Sequence, residues 1–137
     1  MAYVGGDITE VTWNHPTLGS GRILVKASED NTYDLGGVRG NDDANAVTGS
    51  GENIRQLNNR GWRVNLANVA NDMNVDLDIE KINALAADPQ EADWTFSHIN
   101  GSVYGGKGAP LADIVLNTNK STFPIVIGGG KKLIKLS

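Results

Sequence analysis

From Ala92 to Ser137 the chain alternates short apolar segments with turn residues, a spacing that points to antiparallel strands and little else. Trp94, Phe96 and His98 alternate with Thr95, Ser97 and Ile99, and Asn100-Gly101, the strongest short hairpin signal, follows. Val103 and Tyr104 begin a return strand. Leu111 to Leu116 and Thr122 to Ile127 read as a second pair, joined by the polar turn Asn117 to Ser121. Gly128-Gly129-Gly130 then turns into a last short strand over Lys131 to Leu136.

The first half has the same character with weaker signals. Ile8 to Trp13 alternates as a first strand, broken by Asn14-His15-Pro16 and Gly19-Ser20-Gly21. Ile23 to Val25 forms a second, and Thr32 to Leu35 a third after the turn-like Glu29-Asp30-Asn31. Trp62, Val64 and Leu66 share one strand face, while Val69 falls on the opposite parity and predicts a bulge or bend. One helix is expected over 76–88. Asp76 or Asp78 caps it, Ile79, Ile82, Leu85 and Ala86 make an apolar stripe, and Asp88-Pro89 stops it. So short a helix is marginal alone and must lie on the sheet. The fold expected for residues 1–137 is one mainly β domain, an antiparallel sandwich or partly closed barrel with one short helix packed on its side. Trp13, Trp62, Trp94, Phe96 and Phe123 carry much of its core.

Residues 36–59 stand apart. They are rich in Gly, Asn and Asp, and only Val38, Val47, Ile54 and Leu57 could anchor them. A loop this long has a job or is disordered. One reading is plain surface decoration. The other is a contact arm that orders against a neighbouring subunit, with spaced apolar residues and the mixed charges Arg39, Asp42, Asp43, Glu52 and Arg55.

Chemical motifs are weak throughout. Gly101 to Gly106-Lys107 has the spacing of a phosphate-binding loop, but Gly108 stands where Ser or Thr would hold magnesium, and Ala109-Pro110 and a strand follow instead of a helix. The glycines read better as a bend or bulge. Asp72, Asn74, Asp76, Asp78 and Glu80 resemble half a calcium loop, yet Leu77 replaces the glycine and Asn83 the closing glutamate. His15 and His98 have no partner at metal-ligand spacing, and His98 shares parity with Trp94 and Phe96, as a partly buried, hydrogen-bonded ring would. No serine nucleophile motif occurs. The expectation is no enzyme, no metal and no cofactor. Three tryptophans on strands could stack sugars or single-stranded nucleic acid, though alternating strand Trp more often is core.

Cysteine is absent, which excludes disulfides and thiolate metal sites. No segment has the length of a membrane span, and the start lacks the blocks of a signal peptide, so synthesis and retention in the cytosol are expected. The chain has 12 basic and 16 acidic residues; five lysines but only Asp113 among the acids lie from Lys107 onward, leaving seven basic against fifteen acidic before it. That balance argues against a protein that grips phosphates. It does not argue against a conduit through which nucleic acid slides, because a wall of like charge avoids sticking.

Several stretches give the chain a resemblance to a known family: Asp7 to Val11 with Trp13-Asn14-His15-Pro16, Asp34-Leu35-Gly36-Gly37 leading into Asn41-Asp42-Asp43, Ala92 to Phe96, Asn100 to Gly108, and Gly128 to Leu133. In order and pattern they resemble the tail tube proteins of contractile-tailed bacteriophages, over most of the chain. The resemblance implies hexameric rings stacked into a tube inside a contractile sheath, with baseplate and tail terminator proteins as further partners. Phage DNA would pass through the lumen without specific binding, and no membrane is involved. The location implied is the virion tail, after the host cytoplasm. It also implies that the long loop reaches the adjacent ring, making Arg39, Asn41, Asp42, Asp43, Ile54, Arg55 and Leu57 candidate assembly residues. Leu133, Ile134 and Leu136 are candidates for a C-terminal strand that pairs with a sheet edge. The alternatives are the inner tube of a bacterial contractile injection apparatus and a monomeric carbohydrate- or ligand-binding β-sandwich.

Overall fold

The computed structural model describes residues 6–40, 45–70, 79–111, 114–115 and 119–136. Alternating apolar residues build four of the long strands: β1 (Ile8–His15), β8 (Trp62–Ala70), β9 (Ala92–His98) and β11 (Thr122–Gly129) each bury every second side chain over most of their length. Shorter partners are β2 (Gly19–Ile23) and β3 (Thr32–Asp34). The chain is mainly β, and one antiparallel sheet runs β2-β1-β9-β10-β11-β8-β3, where β10 is Val103–Leu111. It is not closed into a barrel and has the character of a sandwich.

β10 makes the corner. Its residues Val103 to Gly108 pair with β9, and Ala109 to Leu111 pair with β11. The expected return strand from Val103 therefore runs on to Leu111, the first residue of the next expected strand. Glycines and Pro110, which look like breakers in the sequence, sit where the strand changes partner. The expected continuation from Leu111 to Leu116 is not seen: Ile114 and Val115 lie outside any strand, and 112, 113 and 116 lie outside the described residues. At the corner a Cβ on Gly106 would stand 2.9 Å from Leu133 Cδ2 and 3.0 Å from Trp62 Nε1. The missing side chain there is what lets the Trp62 ring approach the bend.

The sheet folds back so that its two halves share one core. Phe96 of β9 meets Trp62 of β8 edge-to-face at 5.8 Å and Tyr33 of β3 at 5.9 Å, although these strands are not neighbours in the sheet. All five expected core aromatics are buried. The indole N–H of Trp94 donates to the Gly108 carbonyl at 2.8 Å, and that of Trp62 donates to the Lys107 carbonyl at 3.0 Å. A bulge in β8 brings Val69 inward: Phe123 pairs with Val69 and Ile125 with Leu66, so β8 has one residue more than its partner. Beyond β2 the chain crosses to β8 through a bridge between Val25 and Val69.

The helix α1 (Ile79–Ala87) packs on β10, with Ile82 and Leu85 buried and Ala86 exposed. Of the expected 76–88, residues 76–78 lie outside the described residues, and the helix ends at Ala87, one residue before the expected end. Its end follows the sequence: the Asp88 N–H makes the last bond to Ala84, and the Asp88 carboxylate accepts from the Gln90 N–H across Pro89.

The expected loop 36–59 is instead a β ribbon. β4 (Gly37–Gly40) pairs with β7 (Leu57–Arg60), and farther out β5 (Ala46–Val47) pairs with β6 (Asn53–Ile54). These strands bury neither face against the core, so no period-two burial pattern marks them in the sequence.

Candidate assembly surface

Two features lie apart from the core, the ribbon arm and the C-terminal strand β12 (Ile134–Lys135). The arm is fixed at its root. Gly36 has φ +74, and a Cβ there would stand 2.7 to 2.8 Å from the Lys131 and Arg60 carbonyl oxygens and the Trp62 nitrogen. The Asp34 carboxylate accepts from the Gly36 N–H at 3.0 Å and from both terminal nitrogens of Arg39. The Arg39 guanidinium, then the Gly36 amide, hold the Asp34 carboxyl below the usual carboxylate range. A further tie runs from the Leu133 N–H to the Leu35 carbonyl at 2.8 Å.

The arm's tip closes on itself. Thr48 N–H donates to Glu52 O at 2.8 Å, Gly51 N–H donates to Thr48 O at 2.9 Å, and Thr48 Oγ1 accepts from Glu52 N–H at 2.9 Å. The ribbon needs no partner to satisfy these groups. Its side chains differ in this respect. Val38 (64 %), Val47 (69 %), Ile54 (53 %) and Leu57 (55 %) are the arm's large apolar residues, and all four are exposed. Register puts Val38 and Leu57 on one face of the β4–β7 ribbon and Arg39 and Asn58 on the other. The ribbon is thus amphipathic, with its apolar face uncovered.

The expected assembly residues separate accordingly. Ile54, Arg55 and Leu57 are exposed on the arm. Arg39 is held by Asp34 and is no free charge at the tip. Asn41, Asp42 and Asp43 lie outside the described residues. At the C-terminus β12 pairs with β10, Ile134 opposite Gly105 and Lys135 opposite Tyr104. Ile134 and Leu136 are exposed, but Leu133 is buried in the core, so it anchors the strand from within rather than forming its surface. Val38 and Val47 belong with the exposed set, and their isolation among Gly, Asn and Asp was the signal for them.

His15 is buried, and its Nδ1 accepts from the backbone N–H groups of Thr17 and Leu18, both at 3.1 Å. The ring proton therefore sits on Nε2, which donates to the Gln90 carbonyl at 3.2 Å. His98 departs from expectation: its Nε2 is buried but has no hydrogen-bond partner, and neither has the Tyr33 hydroxyl. Among the described residues no group of His, Asp and Glu has the arrangement of a metal site. All three tryptophans are buried, so the stacking platform lacks its aromatic faces.

No family model and no curated protein matches the chain. Among the described residues no helix is long and apolar enough to cross a membrane. Among the described residues the arrangement is a closed core carrying an arm whose large apolar side chains are exposed.

Proposed function

We propose that this chain is a structural subunit that assembles with copies of itself, as stacked hexameric rings forming the inner tube of a contractile phage tail. The observation that carries the reading is the arm: four large apolar side chains held in water by a ribbon whose described strands pair with each other and whose tip closes on itself. Covering them requires another molecule. A contact between two different surfaces that does not close on itself propagates as a filament, which is the geometry a tube needs. The specific assignment to a phage tail tube rests on the sequence resemblance, and the acidic balance before Lys107 suits a lumen that does not hold DNA.

Deletion of residues 41–53 tests the arm. The account expects the variant to keep a β-type circular dichroism spectrum and cooperative melting while losing the concentration-dependent polymers of the parent in sedimentation velocity. Polymers unchanged by the deletion would make the arm surface decoration.

A further inference from the structure

At the end of β9 three rings from three strands meet: His98 of β9, Tyr33 of β3 and Tyr104 of β10. Their centroids are 5.0 Å apart for Tyr33 and His98, 5.7 Å for His98 and Tyr104, and 6.0 Å for Tyr33 and Tyr104. His98 Nε2 and the Tyr33 hydroxyl are both buried without a hydrogen-bond partner. We propose that this cluster is an acid-sensitive latch: protonation of His98 loosens the root of the arm and the C-terminal segment while the rest of the sheet stays closed.

The cluster sits where those two segments are held. Tyr33 leads directly into Asp34, Leu35 and Gly36. The Asp34 carboxylate ties down Gly36 and Arg39, and the Leu35 carbonyl accepts from the Leu133 N–H. Tyr104 pairs with Lys135 of β12, and the Val103 carbonyl just before it accepts from the Leu136 N–H. β3 is three residues long, ends the sheet, and among the described residues pairs only with β8. His98 therefore holds Tyr33 across the fold, from a strand that is not its neighbour. A short edge strand with few bonds opens locally at less cost than the core strands.

A proton on Nε2 would have no acceptor in the cluster. The Tyr33 hydroxyl is not within bonding distance, and burial, then the Tyr104 phenol beside it, pushes its pKa far up, so it supplies no charge. From β10 the ring faces Tyr104, with Lys135 of β12 opposite that residue and Lys132 in the same hollow. From β1 it faces Ile8, its register partner. Asp7, next to Ile8, accepts from the Ser28 N–H, and Asp34, next to Tyr33, is held by Arg39 and Gly36. The imidazolium is thus better solvated with the cluster open, and protons favour the open form. In the open form the ring has an ordinary pKa near 6.5, while burial lowers it in the closed one. Closure is therefore complete above about pH 6.5 and weakens as pH falls below it. Asp34 does not produce this response: its carboxyl is held below the usual carboxylate range by Arg39 and the Gly36 amide, and stays ionised there.

Hydrogen–deuterium exchange on the full chain tests the latch at about pH 7.5 and about pH 5.5, at a concentration where sedimentation shows one species. Three amides report on it: Gly36 N–H on Asp34, Leu133 N–H on Leu35 O, and Leu136 N–H on Val103 O. Corrected for the intrinsic pH dependence of exchange, they should lose protection several-fold on acidification, by at most about tenfold for each unit that closure lowers the His98 pKa. Amides between β8 and β11 should keep theirs. His98→Phe and His98→Gln, neither of which titrates, should both abolish the difference. Equal protection of the three amides at both pH values would overturn the latch. So would an equal loss across β8 and β11, which is global destabilisation, or an acid response that survives both substitutions, which belongs to another group.

Discussion

His98 sits among rings, 5.0 Å from Tyr33 and 5.7 Å from Tyr104 between centroids. Burial pushes its imidazole below the ordinary 6.5. The unfolded chain therefore takes up a proton before the folded one does, so stability is full above about pH 6.5 and falls as pH drops below it. His98→Phe removes the unpartnered nitrogen and the titration together. Melting temperature measured from pH 5 to 8 should lose part of its acid-side decline, and the variant should be neutral or more stable by up to about 1 kcal/mol at pH 7. An unchanged pH profile would show that His98 does not titrate across the transition. His15 behaves oppositely. Its ring accepts from two backbone donors, so His15→Ala leaves them without an acceptor and should cost about 1–3 kcal/mol in denaturant unfolding. A cost within a few tenths would mean that water replaces the ring.

Among the elements of the main sheet, β12 is the shortest: two residues, paired to β10 and followed by the Leu136 N–H donating to Val103 O at 2.7 Å. Removing 131–137 also removes Leu133 from the core. The expected outcome is a loss of about 2–5 kcal/mol, the range for deleting a buried Leu, and an exposed β10 edge that lowers solubility. Unchanged melting would make the segment dispensable. Elements with a buried face were legible in the sequence. The parity of Trp62, Val64 and Leu66 fixed one side of β8, and the misplaced Val69 announced the bulge. The ribbon arm was not legible as strands, because neither of its faces enters the core. The run of β10 through Gly105 to Pro110 was not legible, because its breakers sit at the corner, a feature of tertiary packing rather than local preference. His15 gave no sign of its role because its partners are a turn two and three residues away and a carbonyl seventy-five residues distant.

For the molecule as a whole, the seal and the arm matter together. The core closes around buried aromatics contributed by both halves of the sheet, so the exposed apolar residues of the arm are not an unfinished interior. They are a surface whose described strands pair with each other, and covering it takes a second molecule. Neither the hexameric ring nor the tail is read from one chain; both follow from the resemblance and stand or fall with assembly. Negative-stain electron microscopy of the purified, full-length chain across a concentration series tests this most directly. The account expects rings and, at higher concentration, hollow tubes of uniform width. Isolated small particles at every concentration, confirmed as monomers by sedimentation, would contradict it.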